Sequence, residues 1–353
     1  MTDARAKAVL QELADLYSRT DYIIDRATNL TEPVKRGESI DIPSIGALTV
    51  YADGSSSQSA QSAAPTALNL IVDQHPWIPV ELPAVAQEQN VDGLWASGVA
   101  LQGLQQLKNS MDGTFANYLA KTICYDTAST PTYHDNPEGD TLDVPDIAAC
   151  KAGLLLNDGV VASRLALFLN PMGEANITSI AGFVPAVQKA EQGMLGVEFL
   201  GSVQGVRCYT TNAVPRATTA AASASNIATN VCTFTVPAGH GFVAGMRIKT
   251  SGFSTNLTSS TVISSVTATT IVAPLTASNG SNGTGTITAQ SCMNIMADVG
   301  HIWVAQQRMP RVRVVPQVDK TGDVLQISSL WGYKARQGRV RILHSPAFAA
   351  KAA

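Results

Sequence analysis

NVDGLWASGVALQGLQQLKNSMDGTFANYLAKTICY, residues 90–125, carries Leu94, Gly98, Leu101, Leu104, Lys108, Met111, Phe115, Tyr118, Leu119 and Thr122 at steps of three and four. That spacing gathers them on one face only if the segment is helical. One helix of this length runs roughly 45 Å or more at about 1.5 Å per residue. Gly93, Gly98, Gly103 and Gly113 weaken such a helix in isolation, so it must lean along something. A core helix of an α/β enzyme is the ordinary alternative, and the flanking segments decide between the two.

On the N-terminal side, Leu10, Leu13 and Tyr17 share a helical face behind Thr2 or Asp3 as a cap, which predicts a short amphipathic arm. From Ser39 the period changes to two. Ile40 and Ile42, then Leu48 and Val50, then Leu68, Leu70 and Val72 alternate around a polar stretch, SSSQSAQ at 55–61, and His75 to Val80 continues the extended chain. This predicts a long two-stranded excursion with a polar tip. A hairpin of that kind is marginal alone in water and takes its stability from a neighbour; an enzyme's active-site lid is the other reading.

On the C-terminal side comes an acidic connector, Asp135, Glu138, Asp140, Asp143 and Asp146. Its spacing misses the calcium-loop pattern and Pro137 and Pro145 interrupt it, so no metal is expected. Pro145 suits the first turn of a helix with Ile147, Cys150, Ala152 and Leu155 inward, ending at Asn157-Asp158-Gly159. Leu165 to Leu169 reads as a strand buried on both faces, Asn170-Pro171 as a turn, and Ala175 to Ile180 as a helix. Residues 193–210 read as glycine-punctuated strands. In residues 217–297 only Arg247 and Lys249 are charged, while Ser, Thr, Ala, Asn and Gly dominate and alternation persists. Gly-His-Gly at 239–241, Asn279-Gly280 and Asn282-Gly283 supply turns. A small all-β module is therefore inserted into a mixed domain, and strands resume from Ile302 through Trp331-Gly332-Tyr333 to Leu343.

With 353 residues, 45% hydrophobic, the chain can bury one or two large cores. Only 14% is charged, against about a quarter in ordinary globular chains, which points to surface kept against other subunits. The net charge of -3 is uneven: nine Lys or Arg against two Asp in residues 301–353 leave the remainder at -10. Such a basic end meets nucleic acid, an acidic neighbour or only solvent. Five cysteines with no CxxC give neither a disulfide framework nor a zinc knuckle. No signal-peptide core and no run of about 18 apolar residues occurs, so a soluble cytosolic chain is expected. There is no GxxxxGK[ST], HExxH or GxSxG, and His75, His134, His240, His301 and His344 are scattered, so no catalytic residue, cofactor site or metal site is assigned. His240, in a tight turn, is read as structural.

The order of these segments resembles the major capsid (coat) proteins of tailed double-stranded-DNA bacteriophages, an α+β Hong Kong 97-like phage capsid fold with an inserted small all-β domain. The likeness is carried by IDIPSIGALTVYADG (40–54), the reversal at Phe115-Ala-Asn-Tyr-Leu, ALFLNP (166–171), GSVQGVRCYTTNAVP (201–215) and LWGYKARQGRVRIL (330–343). It implies an N-terminal arm at 1–36, an extended β-hairpin loop at 37–85 and a peripheral domain with its spine helix at 86–139. An axial domain at 140–216 and 291–317 would be interrupted by the β insertion at 217–290, with return strands and the tail at 318–353. It implies a non-enzymatic shell protein, located in the virion capsid and assembled in the host cytoplasm. The implied partners are further copies of itself in hexamers and pentamers, scaffolding, portal and decoration or cement proteins, and packaged DNA touched without base reading. No membrane partner is implied. Candidate intersubunit contacts are Leu10, Leu13, Tyr17, Ser55, Ser57, Gln58 and Gln61, and candidate DNA-facing cations are Arg308, Arg311, Arg313, Arg336, Arg339 and Arg341. Some members cross-link through a lysine and an asparagine, but the excursion between Ser39 and Val80 has no lysine. Two other readings stay open: another self-assembling virion protein of a tail, fibre or decoration type, and a hydrolase with a β accessory module.

Overall fold

The computed structural model describes residues 23–30, 36–44, 66–83, 94–126, 133–134, 142–157, 159–178, 183–185, 199–214, 219–228, 231–238, 240–253, 261–274, 283–289, 291–316 and 322–346. The chain enters through a single helical turn, α1 (Ile23–Arg26), and a short strand, β1 (Thr28–Leu30). The predicted excursion is present at its base, where β2 (Ser39–Ser44) pairs antiparallel with β3 (Thr66–Ile71) from Ser39 opposite Ile71 to Ser44 opposite Thr66. Strand β4 (Trp77–Pro83) follows. Then comes the long helix α2 (Leu94–Asn117), which continues without a break as a π-helical segment over Tyr118–Asp126.

The helix leans on a four-stranded sheet ordered β1-β18-β19-β4, in which β18 (Ile302–Pro316) and β19 (Gly322–Ala335) form a long antiparallel hairpin. Alternation along β19 explains how this sheet is filled. Ile327 and Trp331 point to the helix and pack with Leu104, Leu107, Met111 and Phe115. Leu330 points to the opposite face, where it joins Ala305 and the hairpin residues Ile40, Ile42, Leu70 and Val72. Helix, sheet and hairpin are thus three layers, and both faces of the sheet are covered. Phe115, Tyr118, Trp331 and Tyr333 form an aromatic cluster between the first two layers, with ring centroids 4.8 to 6.5 Å apart.

The second sheet has seven strands ordered β5-β20-β17-β6-β9-β8-β7. These are β5 (Tyr133–His134), β6 (Leu165–Leu169), β7 (Phe183–Pro185), β8 (Phe199–Val203), β9 (Val206–Thr210), β17 (Ser291–Asp298) and β20 (Val340–Pro346). All of Leu165 to Leu169 is buried, as the uninterrupted apolar run predicts. One face of the run meets α3 (Val144–Leu155) and α4 (Pro171–Thr178), and the other joins the core beneath α2. The β8–β9 turn places Gln204 at φ 52° and Gly205 at φ 77°, the mirror-image turn that suits strand twist.

Three expectations are corrected. In α3 the inward residues are Ile147, Cys150 and Leu154, while Ala152 and Leu155 are exposed, because a stripe at 100° per residue continues from 150 to 154 and not to 152. Helix α4 begins at Pro171 itself and not at Ala175, since a proline's fixed φ and missing N–H cost nothing in a first turn. The boundary drawn at 317 does not follow the sheets: β17 and β20 belong to the seven-stranded sheet, whereas β18 and β19 both belong to the four-stranded one.

The insertion is its own seven-stranded sheet, ordered β13-β12-β16-β10-β11-β15-β14. Its strands are β10 (Thr219–Ala228), β11 (Val231–Thr235), β12 (Arg247–Ser251), β13 (Thr261–Val262), β14 (Ser265–Val266), β15 (Thr270–Pro274) and β16 (Gly283–Ala289). The two outermost strands are consecutive in sequence. Ile263 N–H donates to Met246 O at 2.9 Å and Ser264 N–H to Val272 O at 2.7 Å, so one segment bonds to both ends and the sheet closes into a small barrel. Closure removes the exposed strand edges that invite misassembly. Cys232, Phe234, Phe242, Met246, Ile248, Ile263, Ile271 and Ile287 fill the interior.

Candidate functional site

Leu10, Leu13, Tyr17, Ser55, Ser57, Gln58 and Gln61 lie outside the described residues. What the structure gives is how the excursion is anchored. Gly332 faces the hairpin backbone, and a Cβ there would lie 2.9 Å from Val72 Cα and collide with Ile71 O. Gln74 and Trp331 exchange two backbone hydrogen bonds at 3.0 Å beside it. The aromatic-Gly-aromatic motif therefore has a physical reading: the two rings fill the helix side of β19, and the missing side chain lets β3 cross the other.

Of the candidate cations, Arg308, Arg311 and Arg313 sit on β18 in register with Leu330, Ser328 and Gln326. Arg336 is half-buried, and its N–H donates to His301 O at 3.1 Å. Arg339 is only 6% exposed and its Nη1 donates to Asn157 O at 3.0 Å, which removes it from any surface a polyanion could reach. Arg341 is half-buried with its guanidinium against Gly153 of α3. The two arginines hold the end of α3 against the β19–β20 turn.

The acidic connector resolves in part into a cap. Asp143 Oδ1 accepts Asp146 N–H and Asp146 Oδ2 accepts Asp143 N–H, both at 3.0 Å, a reciprocal box that starts α3. Among the described residues no group of three or more His, Cys, Asp and Glu is placed to hold a metal, and no helix is long and apolar enough to cross a membrane. Cys124, Cys150, Cys208 and Cys232 are buried thiols outside any disulfide. Burial pushes Cys150 and Cys208 up to about 12 and Cys232 up to about 11, so little thiolate forms at neutral pH. His240 is structural: its Nδ1 accepts Phe242 N–H at 3.0 Å, which makes Nε2–H the donor to Thr267 O at 3.1 Å.

Two polar clusters escaped the sequence reading. Asp298 is fully buried where β17 bends into β18, and its carboxylate accepts Gly300 N–H at 3.1 Å and meets His301 Nδ1 at 2.8 Å. The other surrounds Asp112, also fully buried, one helical turn beyond Lys108. Asp112 Oδ1 accepts Ile24 N–H at 3.1 Å and Oδ2 accepts the Thr211 hydroxyl at 3.2 Å. Lys108 Nζ pairs with Asp25 Oδ2 at 2.8 Å, and the Arg26 guanidinium lies 4.4 Å over the Tyr209 ring. A signal was present: Lys108 falls on the apolar stripe, and a cation there must find a buried partner. Exposed apolar side chains occur at Ile71 and Trp77 near the hairpin base, and at Leu155, Leu156 and Val161 at the end of α3.

No protein-family model matches the sequence, and no curated protein matches it. Solved structures do. The capsid of Ralstonia phage GP4 superposes with a TM-score of 0.53 at 12% identity, covering 93% of this chain and 89% of that one. The capsid of an empty GTA particle superposes with a TM-score of 0.51 at 8% identity, covering 93% and 90%. At these identities the likeness concerns architecture, and over more than nine-tenths of its length the chain has the fold of these two capsid structures.

Proposed function

We propose that the chain is a major capsid protein, a structural subunit that associates with copies of itself into a closed icosahedral shell around phage double-stranded DNA. The observation that carries this is the superposition over 93% of the chain on two solved capsid structures, with no more than 11% of either left over. In that frame α2 and the four-stranded sheet are the peripheral domain, α2 being its spine. The seven-stranded sheet with α3 and α4 is the axial domain, the β2–β3 hairpin is the base of the extended loop, and the barrel is an inserted domain. The covered faces of the peripheral sheet support the reading, because a subunit holding its neighbours through many modest contacts needs a firm base for a reaching loop. Leu10, Leu13, Tyr17 and the tip at Ser55, Ser57, Gln58 and Gln61 are the proposed contacts with adjacent subunits. Arg308, Arg311, Arg313 and Arg336 are the proposed DNA-facing cations, acting through backbone charge.

Negative-stain microscopy of the sized protein, expressed alone and with the genes that flank it, tests the proposal. Closed shells are expected. Rods or fibres would replace it with a tail or fibre role, and a monomer persisting beside every partner would overturn it.

A further inference from the structure

Three consecutive residues of the N-terminal turn are each gripped by a different chemistry: the Ile24 N–H by Asp112, the Asp25 carboxylate by Lys108, and the Arg26 guanidinium by the Tyr209 ring. Ile23, Ile24 and Ala27 are buried around them, and the chain then enters the four-stranded sheet as β1, parallel to β18 with Thr28 opposite Trp303. Asp112 touches more than the turn. Through Thr211, whose hydroxyl also accepts Ala213 N–H at 3.2 Å and whose N–H bonds Leu169 O, it reaches the end of β9 and the adjoining β6. One carboxyl group thus ties the entering chain, the long helix and the seven-stranded sheet together.

We propose that Asp112 is the catch of an N-terminal latch, which holds the turn at 23–26 closed while its carboxyl is protonated and loosens that turn when the carboxyl ionises. A neutral acid can hold both contacts in an apolar site. A carboxylate in the same place has lost its water for hydrogen bonds from Ile24, Thr211 and Ile23 that do not make up for burial, and lifting the turn rehydrates it. Burial, and secondarily the nearby Asp25, lift Asp112 to about 7, against the lowering pull of hydrogen bonds from Ile24, Thr211 and Ile23. The charged and titratable groups around it among the described residues are Asp25 and Arg26 on the turn, Lys108 on the helix and Tyr209 on β9. Because the closed form binds the proton more tightly than the open form, closure is strongest in acid. Opening rises by up to about tenfold per pH unit from the ordinary carboxylate range to about 7, then levels off.

Hydrogen exchange on the purified full-length chain, corrected for intrinsic rates, reads the latch at the amides of 23–27. Protection in the wild type is expected to fall at least about tenfold between about pH 5 and about pH 7 and to stay level at about pH 8.5. Amides of 165–169 should show no change and serve as the control for a folded core. Asp112→Asn, which keeps an acceptor for Ile24 and cannot ionise, should show the same protection throughout. A flat wild-type profile, or a variant profile that follows the wild type, overturns the proposal. If the variant loses the 165–169 control, Thr211→Val replaces it: losing the hydroxyl donor should move the wild-type transition to higher pH, and an unmoved transition overturns the proposal.

Discussion

Gly332→Ala should uncouple the extended hairpin from the sheet beneath it. The added methyl would sit 2.9 Å from Val72 Cα and 3.0 Å from Ile71 C, where carbon atoms need roughly 3.5 to 4 Å, and the obstruction is backbone that no rotamer change can move. Either β3 lifts by up to about 1 Å or β19 bends. Forcing a methyl into such a contact costs about 1–3 kcal/mol, and loosening the Gln74–Trp331 pair adds about 1 kcal/mol. Alanine returns about 0.5–1 kcal/mol by restricting the unfolded chain. A net loss of about 2 kcal/mol is expected, seen as a lower urea midpoint at unchanged slope when tryptophan fluorescence is followed. Exchange should quicken at 39–44 and 66–72 before it does at 165–169. A midpoint equal to or above the wild type's would refute the reasoning, since it would mean that the hairpin does not need the missing side chain.

Gly113→Ala is expected to do the opposite on the long helix, because a Cβ there meets nothing within 4 Å; thermal unfolding should show a gain of about 0.5–1 kcal/mol. Asp143→Ala removes half of the reciprocal cap of α3 and should cost about 0.5–2 kcal/mol in the same assay. Deleting Ser55 to Ala63 should leave a monomer with unchanged far-ultraviolet dichroism that forms no stable shells, and intact particles by microscopy would remove the intersubunit role given to that tip.

Periodicity made the elements legible and left their partners hidden. The stripe on residues 94–122 announces a helix with one buried face, and the alternation at 40–42 and 68–72 announces strands, because both signals are local. That β1 pairs with β18, some 270 residues away, or that β20 returns to the sheet holding β6, depends on strands whose apolar patterns fit several neighbours equally well. Charge misleads for the same reason. In the segment from Arg336 to Arg341 each cation reads as a surface group, and only the fold brings Asn157 O to Arg339 and Gly153 to Arg341. Lys108 was readable as buried because it falls on the apolar stripe, but nothing within its stretch of sequence points to Asp25, or joins Asp112 to Ile24 and Thr211. The proposed contacts in the arm and at the hairpin tip lie outside the described residues, so the fold is legible further than the surfaces it presents.

The two large sheets are joined by one ribbon. Strands β17 and β18 run antiparallel to β20 and β19, first with Ser291 opposite Pro346 and Ala297 opposite Val340, then with Ile302 opposite Ala335 and Pro316 opposite Asp323. Between them the ladder is interrupted but not broken: Asp298 N–H donates to Arg339 O at 3.0 Å and Arg336 N–H to His301 O at 3.1 Å. Side chains secure the bend, Asp298 closing it through Gly300 and His301 and Arg339 tying it to the end of α3. A second link lies at Asp112, where α2 and the N-terminal turn meet the end of β9. A displacement of one sheet against the other works against the core they share beneath α2 and, at these two polar links, strains the bend or opens the turn. The bend is held by covalent strands and backbone hydrogen bonds, whereas the turn is held by side chains on a four-residue helix too short to persist alone. The turn is the weaker of these two links, and it lies within the segment proposed as the N-terminal arm.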